Sequence, residues 1–91
     1  MIKYFPFPCH DHKHKYYIIT NSGKIVKFGA FGMSDFTIHK DEARKQRYIK
    51  RHEKNENWNN KDTAGFWSRW LLWEKPTIKE SYQFIKNKFN I

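Results

Sequence analysis

Between Phe66 and Trp73 the chain reads FWSRWLLW, and no other segment so narrows the folds open to it. At helical spacing Phe66, Trp70 and Trp73 fall on one stripe and Trp67 with Leu71 on the next, so a helix here is buried over a wide arc. Aliphatic residues are scarce, whereas Phe, Tyr and Trp make up 19% of the chain, and each large ring buries about 150–250 Å². The core is therefore built from rings. A charged fraction of 30% would suit a disordered chain, but disordered chains are poor in aromatics, and the apolar residues here are clustered. With 91 residues and no compositional break long enough for a linker, residues 1–91 read as a single domain.

Ile2 to Phe7 and Lys15 to Thr20 are rich in Tyr, Phe and Ile, and Lys24 to Phe28 alternates apolar with charged residues, a pattern of two or three short strands. Asn21-Ser22-Gly23 tolerates the backbone angles of a tight reversal and predicts an antiparallel hairpin, while Pro6 and Pro8 confine the first strand to an edge or end it. A helix is expected from near Thr37 to about Lys54, capped from Ser34, Asp35 or Thr37, with Ile38, Ile49 and the stem of Lys45 as a thin apolar seam. Asn55 to Asp62 is a polar loop anchored by Trp58. The aromatic helix follows from about Thr63 to Glu74. Pro76 stops it, and Thr77-Ile78-Lys79-Glu80 matches a capping box opening a third helix with Ile78, Tyr82, Ile85 and Phe89 on its apolar face. The expected fold class is α+β: a small antiparallel sheet of two or three strands packed with about three helices in an aromatic-rich core.

Charge points to a partner. Eighteen Lys and Arg against nine Asp and Glu give a net charge of +9 and a pI near 9.8. On the expected basic helix Lys40, Arg44, Arg47, Arg51 and Lys54 share one narrow face about 21 Å long. A one-signed stripe of this kind is the electrostatic footprint of a polyanion binder, whereas a helix built only for solubility interleaves both signs. Lys45 and Lys50 support the stripe, and from the hairpin Lys24 or Lys27 joins it, but not both, because residues three apart in a strand face opposite sides. Double-stranded DNA is the leading partner and RNA the other, since phosphate contacts are common to both. Only Gln46 on that helix is of a type that reads base edges bidentately, so binding is expected to be largely independent of sequence. The asparagine-dense loop, with Asn55, Asn57, Asn59, Asn60 and Lys61, reads first as a turn former and second as a minor-groove contact. Phe31, between Ala30 and Gly32 on an expected exposed turn, is the candidate for stacking on a base or wedging into a duplex. Two other readings use the same charge: a basic face for an acidic protein or an anionic membrane, and a small nuclease working through His39 or the N-terminal histidines.

Cys9, His10, His12 and His14 crowd together, and on an extended strand the three histidines would share a face. A zinc site draws four ligands, usually as two pairs, and no second Cys or His pair follows, so no metal or other cofactor is expected. Nine scattered acids do not supply the convergent carboxylates of metal-dependent phosphodiester cleavage, Gly29-x-x-Gly32 lacks the context of a dinucleotide loop, and no Walker motif is present. The chain reads as a binding protein, not an enzyme. The single cysteine, the absence of a secretory leader and a longest apolar run of only Trp70 to Trp73 fit an intracellular protein with no transmembrane span, its oligomeric state open.

The succession FGAFGMSDFTIHKDEARKQRYIKRH, then ENW, then TAGFWSRWLLWEKPTIKES resembles a small, largely uncharacterised DNA-binding family of large nucleocytoplasmic DNA viruses of protists, such as the marseillevirus and mimivirus groups. The resemblance covers Phe28 to Ser81 and leaves PFPCHDHKHK outside it. It implies DNA binding in a viral factory of the host cytoplasm, or in the virion, and a part in organising or packaging the genome through the basic residues named above.

Overall fold

Residues 2–91 are described by a computed structural model, in which the alternating N-terminal half forms three strands: β1 (Phe7–Pro8), β2 (His14–Ile19) and β3 (Ile25–Ala30). They pair antiparallel in that order. Tyr16 opposite Phe28 and Ile18 opposite Val26 face the core, while Tyr17 opposite Lys27 and Ile19 opposite Ile25 lie on the other face. The Asn21-Ser22-Gly23 turn closes as expected, with Gly23 at φ 89° donating its amide to the Thr20 carbonyl at 2.9 Å. The first strand is far shorter than Ile2 to Phe7. Tyr4 adopts φ 53°, which breaks the extended run, and its amide donates to the Ile19 carbonyl at 2.9 Å. Pro8, with no N–H to give, sits on the edge strand.

Four helices follow: α1 (Phe36–His39), α2 (Glu42–His52), α3 (Ala64–Trp67), which runs straight into a π turn (Ser68–Leu72), and α4 (Ile78–Phe89). The basic helix expected from Thr37 to Lys54 is thus two helices. Lys40 takes a left-handed conformation, φ 55°, and its amide closes α1 on the Phe36 carbonyl. Asp41 then caps α2, its carboxylate accepting from the Ala43 and Arg44 amides at 3.0 and 3.3 Å. Asp41 is thus a cap inside the expected helix, and a capping side chain requires a non-helical backbone at its own position.

The FWSRWLLW segment is the centre of the core. Phe66, Trp67 and Leu71 are fully buried, and Trp67 meets Phe28 from the sheet and Tyr4 from the N-terminal segment at ring separations of 6.0 and 6.5 Å. On the other side Phe66 and Trp70 pack edge-on against Phe89 of α4. The indole N–H groups of Trp67 and Trp70 donate to the Lys61 and Trp58 carbonyls, both at 2.8 Å, and so tie the polar loop to the core. Thr77 caps α4 by accepting from the Glu80 amide at 3.1 Å, and Ser81 and Ile85 are its fully buried residues.

Truncating the ring on which the two halves converge tests this arrangement. Trp67→Ala is expected to cost about 3–5 kcal/mol in urea unfolding, the range for removing a large buried aromatic.

Candidate nucleic-acid interface

What holds α2 in place is one tyrosine. Tyr48 is 8% exposed, and its ring stacks parallel to that of Trp73, with centroids 4.2 Å apart and planes 2° from each other. His52, one turn on, lies against Tyr48 at 4.5 Å. The expected seam differs accordingly: Ile38 is exposed, whereas Tyr48 and the partly buried Ile49 make the inward face. Lys45 is also inward. Its ammonium donates to the Glu74 carbonyl at 2.8 Å and lies 5.0 Å from the Phe36 ring centroid, so it fastens α2 to the C-terminal half and does not reach a phosphate from the outer face.

The outer face of α2 carries Arg44, Arg47, Lys50 and Arg51, and Lys54 follows in the turn after it, all exposed. Four ion pairs of Lys or Arg with an acid and two histidine–carboxylate contacts form among the described residues, and none includes any of these five cations. The acids of this segment, Glu42 and Glu53, fall on the opposite side of the helical wheel. Lys40 leaves the stripe. It sits at the end of α1, where its ammonium donates to the Thr37 carbonyl at 2.8 Å. The helical part of the ridge therefore runs from Arg44 to Arg51, about 10.5 Å.

Elsewhere the predicted contacts separate. Lys27 stands on the face of the sheet away from the core, with its ammonium 3.3 Å from Asp11 Oδ2. Phe31 is 58% exposed, touched at its edge by the His12 ring. The histidine-rich stretch is not extended: Asp11 turns the chain by accepting from the Lys13 and His14 amides and from His14 Nδ1, each at 2.9 Å, and His12 lies at φ 61°. The three histidines accordingly do not line up on one strand face, and no group of three metal-ligating side chains converges among the described residues. In the asparagine loop, the Asn57 and Asn60 side chains accept from the Asn59 and Asp62 amides at 3.0 Å, turn-forming bonds of the kind expected first.

Sequence reasoning missed a cleft beside the ridge. About 630 Å³ in volume, it opens between the loop after β3, the end of α2 and the start of α3, and Arg51 belongs both to its wall and to the ridge. Tyr48, His52 and Glu56 line it with Ser68 of the π turn. These residues come from separate elements and carry no shared sequence signal.

His39 makes the α1–α2 junction sensitive to acid. Its Nδ1 accepts from the Asp41 amide at 2.9 Å, and its Nε2 is buried without a partner. Burial first, and then the positive charge of Arg44, hold its pKa below the ordinary 6.5. The neutral ring is thus the folded form, and its contribution is complete above about 6.5 and lost as pH falls from there through the lower folded value. Thermal unfolding followed from about pH 7.5 to about 5 should show the wild type losing stability below about 6.5, with His39→Gln, whose amide oxygen can take the Asp41 N–H, losing less.

Residues 8–52 match the sequence profile of a family of unknown function, DUF5754. The matched stretch takes in the histidine-rich turn, the hairpin, α1 and the whole of α2, and stops before the aromatic segment. No curated protein and no solved structure matches the chain.

Proposed function

We propose that this protein is a nucleic-acid-binding module, not an enzyme, and that the outer face of α2 holds the phosphate backbone of double-stranded DNA. The observation that carries the reading is the ridge: five exposed cations along α2 and its exit, none of them in an ion pair. Arginine contributes a planar fork suited to phosphate oxygens, and three of the five are arginines. The opposite side of α2 is fixed by Tyr48 and Lys45, so the cations are presented from a rigid helix. Phe31 lies exposed on a separate turn and serves as a secondary stacking or wedging contact. The resemblance to giant-virus proteins supplies the setting of the proposal: a viral genome, organised in the host cytoplasm.

A second reading has an observation of its own. Phe31, Met33 and Ile38 are 58%, 64% and 61% exposed and precede the ridge closely in the chain, a combination of apolar and basic groups that also suits an anionic membrane surface. No helix is long and apolar enough to cross a membrane. Flotation with anionic vesicles decides between surface binding to lipid and to DNA.

If Arg44, Arg47, Arg51 and Lys54 each meet a phosphate, duplex affinity falls with salt at a log–log slope of about −3 to −4. The double charge reversal Arg44→Glu, Arg51→Glu should weaken random-sequence duplex binding strongly and flatten that slope by about 2 in fluorescence anisotropy. Unchanged affinity in the folded double variant would refute the proposal.

A further inference from the structure

The sheet leaves one strand paired on one side only. On β2 the odd-numbered residues turn toward the N-terminal segment, since the Ile19 carbonyl accepts from the Tyr4 amide at 2.9 Å and the Lys15 carbonyl from the Cys9 amide at 3.0 Å. Its even-numbered residues therefore bond to β3, and their partners there, Val26 and Phe28, are even-numbered too. The backbone N–H and C=O groups of Ile25 and Lys27 consequently point outward from the sheet edge. None of these four groups has a partner among the described residues, and both side chains are exposed. Gly29, at φ 76°, ends the regular edge.

An edge of this kind pairs readily with an extended chain unless something deters it. Here the deterrent is charge. Lys24 and Lys27 lie beside and on the edge, and Lys3 lines a depression that Ile25 and Lys27 share. The one acid of that depression, Asp11, is already engaged: its carboxylate accepts from two amides and from His14, and lies 3.3 Å from Lys27 Nζ. A second copy added about a two-fold axis at Lys27 would set that residue opposite itself, and any register brings together two molecules of net charge +9. The same lysines favour a strand of opposite sign. The depression, about 530 Å³, lies on the open face of the sheet, where Tyr17, Ile19 and Ile25 give it an apolar lining and Ile25 is 56% exposed. Side chains of an added strand alternate between faces, so those across from Ile25 and Lys27 lie over it.

We infer that the β3 edge binds an extended acidic segment of a partner protein, with a carboxylate-bearing residue opposite Lys27 and an apolar one opposite Ile25. The segment runs antiparallel, so that Ile25 and Lys27 each exchange both backbone bonds with one partner residue. Main-chain bonds hold it and alternate side chains select it. This surface uses none of the α2 cations and does not depend on the reading of the ridge.

The test uses the intact protein and a labelled peptide of about eight residues that alternates glutamate with valine, beside a lysine–valine control. The acidic peptide should bind, and the Ile25 and Lys27 amides, open to hydrogen exchange in the free protein, should become protected by about tenfold or more. Ile25→Pro removes one outward N–H and keeps every charge, a change an edge strand tolerates because the missing N–H faces solvent. It should weaken the peptide about tenfold or more and leave duplex affinity unchanged. Lys27→Glu should reverse the preference between the two peptides. Binding without protection of those two amides, or equal binding by the proline variant, places the peptide elsewhere and overturns the inference, as does no binding at millimolar concentration. Protection of the same amides in the free protein, rising with its concentration, would show a second copy on the edge and overturn it too. The exchange measurement is made on the wild type, so it decides the matter even where a variant fails to fold.

Discussion

The parallel stack of Tyr48 on Trp73 is the contact on which the placement of the basic helix depends. Helix α2 is polar around most of its surface, and a short polar helix has little stability of its own in water. Its orientation comes from the Tyr48 ring, the Lys45 bond to the Glu74 carbonyl and the packing of His52. Glu74 is in turn held by an ion pair with the buried Arg69, whose guanidinium lies 4.3 Å from the Trp70 centroid. The ridge is thus coupled to the aromatic core through a chain of rings and cations. Loss of that coupling would scatter the charge without changing its amount.

Much of this architecture was legible in the residues because it rests on local signals. Asn21-Ser22-Gly23 marks the hairpin, Thr77 marks the start of α4, and the spacing of Phe66, Trp67 and Leu71 marks the buried helix. What escaped were positions where one residue serves two purposes. Asp41 looks like a charge suited to a first helical turn, but as the cap it divides the basic segment and removes Lys40 from the stripe. Lys45 looks like another phosphate contact, yet its long stem lets it reach the Glu74 carbonyl. Tyr48, with only Ile49 beside it in an otherwise polar and charged segment, gives no sign on a helical wheel that a tryptophan far along the chain will cover it. The cleft is illegible for the same reason: its residues meet only after three separate segments have packed.

The most direct test of the central claim is an amide chemical-shift map of the labelled protein titrated with a short random-sequence duplex. The account predicts perturbations concentrated on Arg44 to Lys54, with the β2–β3 face bearing Tyr17 and Lys27 unchanged. Perturbations centred on that sheet face, with the amides of α2 unmoved, would contradict it.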